Sequence, residues 1–238
     1  MYKERHYRQF SQSEGLFSFV VRIKETDLFI SARQDLSLQA RALVRKLRSE
    51  IEAYISQHPS FATTLVPMKL DAQAPAIVRR MLQAAQKAGV GPMAAVAGAI
   101  AQEVAKALSS QSHDLLVENG GDIFIYTTQD RVLGIWAGQD NPFNAYSLQI
   151  KAAQSPLSVC CSSGTVSHSL SYGKADAAIV LAQNGALADA VATALGNRVQ
   201  TYTDFETALA YAKNVHGVLG ALIIQGDKMA AWGCVQIC

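Results

Sequence analysis

At 238 residues, half of them apolar and only 17% charged, the chain is long enough to bury a sizeable core and too hydrophobic to be disordered. Its 21 basic and 19 acidic residues leave a net charge of +2, too small for the field that nonspecific nucleic-acid binding uses. The opening Met1-Tyr-Lys-Glu-Arg-His-Tyr-Arg is too charged for a signal peptide, and no later run approaches the ~18 apolar residues of a membrane span, which predicts a cytoplasmic chain without membrane contact.

In chain order, residues 15–23 and 27–32 read as two short strands around a polar turn. Basic residues from Lys3 to Arg48 crowd this region; they read as a solvated face, with anion or RNA contact as the alternative. Leu36, Ala40, Leu43, Leu47, Ile51 and Ile55 then recur at helical spacing up to Pro59. Ile77, Met81, Leu82, Ala85 and Ala88 predict a second helix, stopped at Gly89 by a left-handed cap. Pro92 opens a third, with Val96, Ile100, Val104 and Leu108 as its apolar stripe.

Strands are predicted near 114–118, 122–127, 131–138, 145–151, 157–162 and 176–183, mostly antiparallel. A helix over 185–196 follows, and Thr203-Asp-Phe-Glu206 reads as a capping box for another ending near Asn214. Strands 218–225 and 228–236 close the chain around Gly226-Asp227. Strand pairs enclosing helix pairs thus occur twice, approximately over 1–110 and 111–238, with no flexible linker between them. The expectation is one α+β domain, 1–238, of two intimately packed halves.

Four segments could carry chemistry. In Leu115-Leu-Val-Glu-Asn-Gly-Gly-Asp-Ile-Phe-Ile-Tyr126, Asn119-Gly120 is a hairpin signal. Gly120 and Gly121 also expose backbone amides to which a pyrophosphate can come close, between Glu118 and Asp122. In the helix 185–196, Asp189 and Thr193 project together, four residues apart, from an otherwise alanine-rich face. That suits a hard cation such as Mg²⁺, or equally an early-helix acid facing the dipole. Ala94, Gly98, Ala101 and Ala105 form a small-residue stripe, for close helix packing or for room beside a nucleotide.

Finally, Cys161-Ser-Ser-Gly-Thr-Val-Ser-His168 combines Ser163, Gly164 and a histidine, as a phosphate-contacting loop with His168 as general base, or as a solvated loop. The cysteines, Cys160, Cys161, Cys234 and Cys238, have neither disulfide-scaffold density nor zinc-ribbon spacing. They read as reduced structural thiols, the alternative being a thiol or metal site assembled in space.

The order of these segments, a Gly/Ala helix, Asn-Gly-Gly-Asp, Ser-Gly followed by His, then Ala188-Asp-Ala-Val-Ala-Thr-Ala194, resembles the ApbE family of flavin transferases. The resemblance spans roughly residues 90–200 and is nearest to a cytoplasmic ApbE-like branch. It implies a tandem T-fold-like architecture with FAD between two units. It also implies Mg²⁺ or a similar cation on Asp189 and Thr193 with carbonyls near the Gly/Ala helix, and cofactor contacts from Gly98, Glu118, Asn119, Gly120, Gly121, Asp122, Ser163 and Gly164. In the family reaction a protein threonine attacks the FAD pyrophosphate and keeps FMN while AMP leaves. Two features depart from that pattern: His168-Ser-Leu-Ser-Tyr-Gly lacks the family's Asp-Pro pair, and Ala97 stands where a Lys precedes the helix glycine. The implied partners are a small nucleotide ligand and either a protein acceptor or a partner in an anaerobic, sulfide-dependent homocysteine route, served without flavinylation.

Overall fold

The computed structural model describes residues 15–165 and 172–238. Ten strands and six α-helices follow one another as β1 (Phe17–Ile23), β2 (Thr26–Ala32), α1 (Ser37–Gln57), α2 (Ser60–Thr63), α3 (Ala76–Ala88), α4 (Val96–Leu108), β3 (Leu115–Asn119), β4 (Asp122–Tyr126), β5 (Arg131–Gly134), β6 (Ser147–Ile150), β7 (Leu157–Ser162), β8 (Ala177–Ala182), α5 (Gly185–Asn197), α6 (Phe205–Asn214), β9 (Val218–Gln225) and β10 (Lys228–Gly233). Eight strands form a single sheet in the order β1-β2-β3-β4-β7-β8-β9-β10. Every neighbouring pair is antiparallel. The first and last four strands meet at the β4–β7 pairing, where Ile123, Phe124 and Ile125 face Val159, Ser158 and Leu157.

Side-chain alternation divides the sheet into two buried faces. Ile30, Val117, Phe124, Cys160, Val180 and Ile223 point into the core shared with the helices. Leu116, Ile125, Val159, Ile179, Leu222 and Ile224 point the other way, onto the hairpin β5–β6 through Leu133, Leu148 and Ile150. The chain end joins this second layer: the Ser147 and Gln149 amides donate to the Cys238 and Gln236 carbonyls at 2.9 Å. With both faces covered, β8 is buried along its whole length, and its sequence is a continuous apolar run rather than an alternating one.

The helical periodicities appear where the spacing places them. α1 buries Ala40, Val44, Ile51 and Tyr54. α3 ends at Gly89, whose φ of 69° is the left-handed cap that glycine adopts without strain. Other details shift. Pro92 opens a separate 3-10 turn, Pro92–Ala95, and α4 begins only at Val96. The capping box lies two residues earlier than expected, with Thr201 and Asp204 bracketing the 3-10 turn before α6. Predicted strands 131–138 and 145–151 shorten to four residues each. No single helix among the described residues is long and apolar enough to cross a membrane.

A buried acid ties the start of β3 to its surroundings. Asp114, 1% exposed, accepts hydrogen bonds from the Arg33 guanidinium, from the Thr128 amide and from the Thr127 and Thr128 hydroxyls. Burial works to raise its pKa, but these donors outweigh burial and hold the carboxyl at about 2.

Candidate functional site

The segments singled out in the sequence converge where α4 crosses α5 above β3, β4 and β7. The crossing is made by glycines. A Cβ on Gly98 would lie 2.2 Å from the Gly185 carbonyl oxygen, and one on Gly185 would lie 2.5 Å from the Gly98 carbonyl oxygen. The small-residue stripe therefore serves direct helix contact.

At this crossing each helix supplies a hydrogen-bond acceptor for the other's first turn. Ala95, the residue at the α4 N-cap, has no capping side chain. Instead the Asp189 carboxylate accepts from the Gly98 amide at 2.9 Å and from the Ala97 amide. In return Gln102 Oε1 on α4 accepts from the Gly185 amide, the first of α5, at 3.0 Å. These donors would otherwise be orphaned at helix starts. Asn184 caps α5 more conventionally, accepting from the Leu187 amide at 3.0 Å.

The β3–β4 hairpin reaches the same place. Its central residues are Gly120 and Gly121, both at positive φ (70° and 103°), so the turn sits one residue later than the Asn119-Gly120 reading; Asn119 ends β3, paired with Asp122. Glu118 Oε1 accepts from the Gly121 amide at 2.8 Å, closing the turn from below. Asn119 Nδ2 donates to the Ala97 carbonyl at 3.1 Å, stitching the hairpin to α4. Asp122 shares with Phe124 the helix-facing side of β4 and accepts from the Cys161 amide at 3.3 Å.

Asp122 and Asp189 are buried, at 6% and 9% exposure, and the Cys160 thiol lies with them. Burial pushes the Asp122 carboxyl well above the usual range, and the Asp189 charge pushes it further, against hydrogen bonds from Cys160 and Cys161. Burial likewise pushes Asp189 up to about 7, with the Gly98 and Ala97 amides pulling it back. The Cys160 thiol is raised by burial and then by both acids, and Cys161 is pushed up to about 12. Both thiols thus favour the protonated form over the nucleophilic thiolate.

A divalent cation suits this donor set. Among the described residues neither acid has a basic partner, and no group of three or more His, Cys, Asp or Glu side chains is poised for a metal. Mg²⁺ needs only one or two carboxylates and completes its shell with water and phosphate oxygens. Thr193 stands one turn beyond Asp189 on α5, half-buried.

The remaining candidates are less central. Ser163 is buried just past β7, and its hydroxyl accepts from the Thr165 amide at 3.2 Å. Gly164 has a packing reason to be glycine, since a Cβ there would come 1.9 Å from the Gly173 carbonyl oxygen. His168 lies outside the described residues. Sequence reasoning missed Gln102 and Cys160 as part of this cluster. Alternation along β7, which turns Ser158, Cys160 and Ser162 to one face, was the available signal.

Comparison with known proteins follows the same lines. A family model described as "AbpE bacteria" matches residues 8–226. A UPF0280 protein of Methanocella arvoryzae is 42% identical over 213 residues, 89% of this chain and 86% of its own length. One of Methanosarcina acetivorans is 39% identical over 217 residues, 90% and 85%. In structure the chain is similar to the flavin transferase ApbE of Vibrio cholerae, with TM-score 0.57 and 13% identity over 94% of this chain and 97% of that one. It is similar also to the ApbE protein of Thermotoga maritima, with TM-score 0.55 and 12% identity over 92% and 96%. A family match across nearly the whole chain, on a fold shared with these proteins, places the chain in the ApbE-like family.

Proposed function

We propose that the chain binds a flavin nucleotide, FAD or FMN, together with a divalent cation, at the rim formed by the Gly120-Gly121 turn, the start of α4 and the Asp189 face of α5. The observation that carries this reading is the buried pair Asp122 and Asp189, lacking a basic partner among the described residues, on the fold of a flavin transferase. Asp189 and Thr193 would hold the cation from α5. Its chemistry there would be to neutralise and polarise a pyrophosphate. The two glycines, free of Cβ atoms at the turn, let phosphate oxygens come close to it, although the Gly121 amide itself is held by Glu118. We read the two four-stranded strips of the sheet as tandem T-fold-like units supporting that rim, in a cytoplasmic protein.

Whether the bound nucleotide is also cleaved is a separate question, and the sequence departures favour binding without transfer. Ala97 offers no charged side chain at the start of α4, and both its amide and its carbonyl are engaged, by Asp189 and Asn119. The test is calorimetric titration of FAD with and without Mg²⁺, followed by an assay for AMP. Tighter binding with Mg²⁺ is expected. Equal affinity in both conditions would remove the reading, and AMP release with FMN fixed to an added acceptor would convert it into a transferase.

A further inference from the structure

Resting on the cation-binding reading above, we propose that Asp122 is the second carboxylate of the cation site, so that the cation is held between the helix layer and the sheet by Asp189 from α5 and Asp122 from β4. A hairpin of this kind does not itself require an acid at position 122. The turn is made by the positive φ of Gly120 and Gly121, and the stitch to α4 is made by Asn119. An acid there, turned toward the helices and 6% exposed, is a costly choice that the hairpin leaves unexplained.

Charge balance gives the choice its meaning. Asp189 faces the N-terminal turn of α4, whose exposed amides carry roughly half a positive charge. Among the described residues Asp122 accepts from the Cys161 amide, while the neighbouring Cys160 thiol is shared with Ser158 and the Gly185 carbonyl. Both carboxylates lie buried, Glu118 is a further acid near Asp122, and no ion pair among the described residues joins Asp122 or Asp189 to a base, so the pair can be ionised together only if a cation takes the place of the protons. A divalent cation, which takes carboxylate oxygens from more than one element, supplies that charge. The anchoring donors, backbone amides of α4 and β7, also fix each carboxylate before a cation arrives, so little ordering is left to be done on binding.

The experiment compares wild type, Asp122→Asn, Asp122→Ala and Asp189→Asn in the full chain, by melting temperature without metal and by titration with Mg²⁺ in the presence of FAD. For both Asp122 variants the expected result is at least a tenfold loss of apparent Mg²⁺ affinity. Metal-free Asp122→Asn should melt at or above wild type, because a buried carboxyl without a basic partner among the described residues is replaced by a neutral amide. A purely structural aspartate would give the opposite pattern, a lower metal-free melting temperature with unchanged Mg²⁺ affinity, and that would overturn the proposal. If Asp189→Asn loses the Mg²⁺ response while both Asp122 variants keep it, the cation reading stands and this inference falls. If wild type shows no Mg²⁺ response, both fall.

Discussion

Replacing Gly98 by Ala puts one methyl at the point where α4 and α5 touch. The new carbon would sit 2.2 Å from the Gly185 carbonyl oxygen and 2.8 Å from the Asp189 Cβ, and the nearer of these is backbone, which cannot swing aside. The helices must part by about 1 Å to restore ordinary contact, a small-to-large change costing ~1–3 kcal/mol. Parting them also loosens the Asp189 carboxylate from the Gly98 amide, a charge-assisted bond worth ~1.5–3 kcal/mol. The better helix propensity of Ala returns only ~1 kcal/mol. A net loss of roughly 1.5–5 kcal/mol follows, centred near 3 and equivalent to a fall in melting temperature of roughly 10 °C for a chain of this size. Gly89→Ala is the control. It meets nothing within 4 Å but sits at φ 69°, so it should cost only the ~1–2 kcal/mol of a left-handed residue. Urea unfolding of the two variants side by side decides the matter. A Gly98→Ala protein as stable as wild type would refute the direct helix crossing.

Asp114→Asn should cost roughly 2 kcal/mol at pH 7, from a carboxyl held at about 2 instead of 3.8. Because that pKa is depressed, the advantage of wild type is present above pH ~4 and disappears as pH falls through about 2, which acid unfolding of the pair will show. Asp189 has the opposite sign. Its carboxyl is raised to about 7, so the folded chain keeps a proton that the unfolded chain releases. Metal-free stability should therefore decline as pH rises from ~4 to about 7, and Asp189→Asn should flatten the slope. Thiol labelling of the native protein at pH 8 should modify Cys238, which is exposed, well before the buried Cys160; equal rates would contradict the burial of β7.

Much of the fold was legible because its signals are local. The αL stop at Gly89, the α1 stripe and the hairpin glycines each depend on residues within a turn or two of one another. The candidate site was legible only as separate pieces. That Asp189 and Thr193 share a helix face follows from a spacing of four, but that Asp189 meets the Gly98 amide joins residues 91 apart. No periodicity in α5 could point to it, since the helix is buried nearly all round and its alanines look alike from every side. The pairing of Asp122 with Asp189 depends further on β4 lying beneath α5, a matter of tertiary packing. The separate sheet β5–β6 was hidden for a related reason. Its strands have the same apolar alternation as those of the main sheet, and only their place over the second face distinguishes them.

The exchange of acceptors between α4 and α5 bears on how the protein comes apart. An amide at a helix start normally finds its acceptor within its own segment, and such a helix can fray by itself. Here the amides of Ala97 and Gly98 depend on a residue of α5, and that of Gly185 depends on one of α4. Neither terminus can open without releasing the other's partner, so these protons should exchange with solvent together, at the rate of the deepest opening of the molecule. Cutting the chain between β4 and β7 would strand both helices with unanswered amides, so the two strips of sheet are interlocked through their helices as well as joined at the seam.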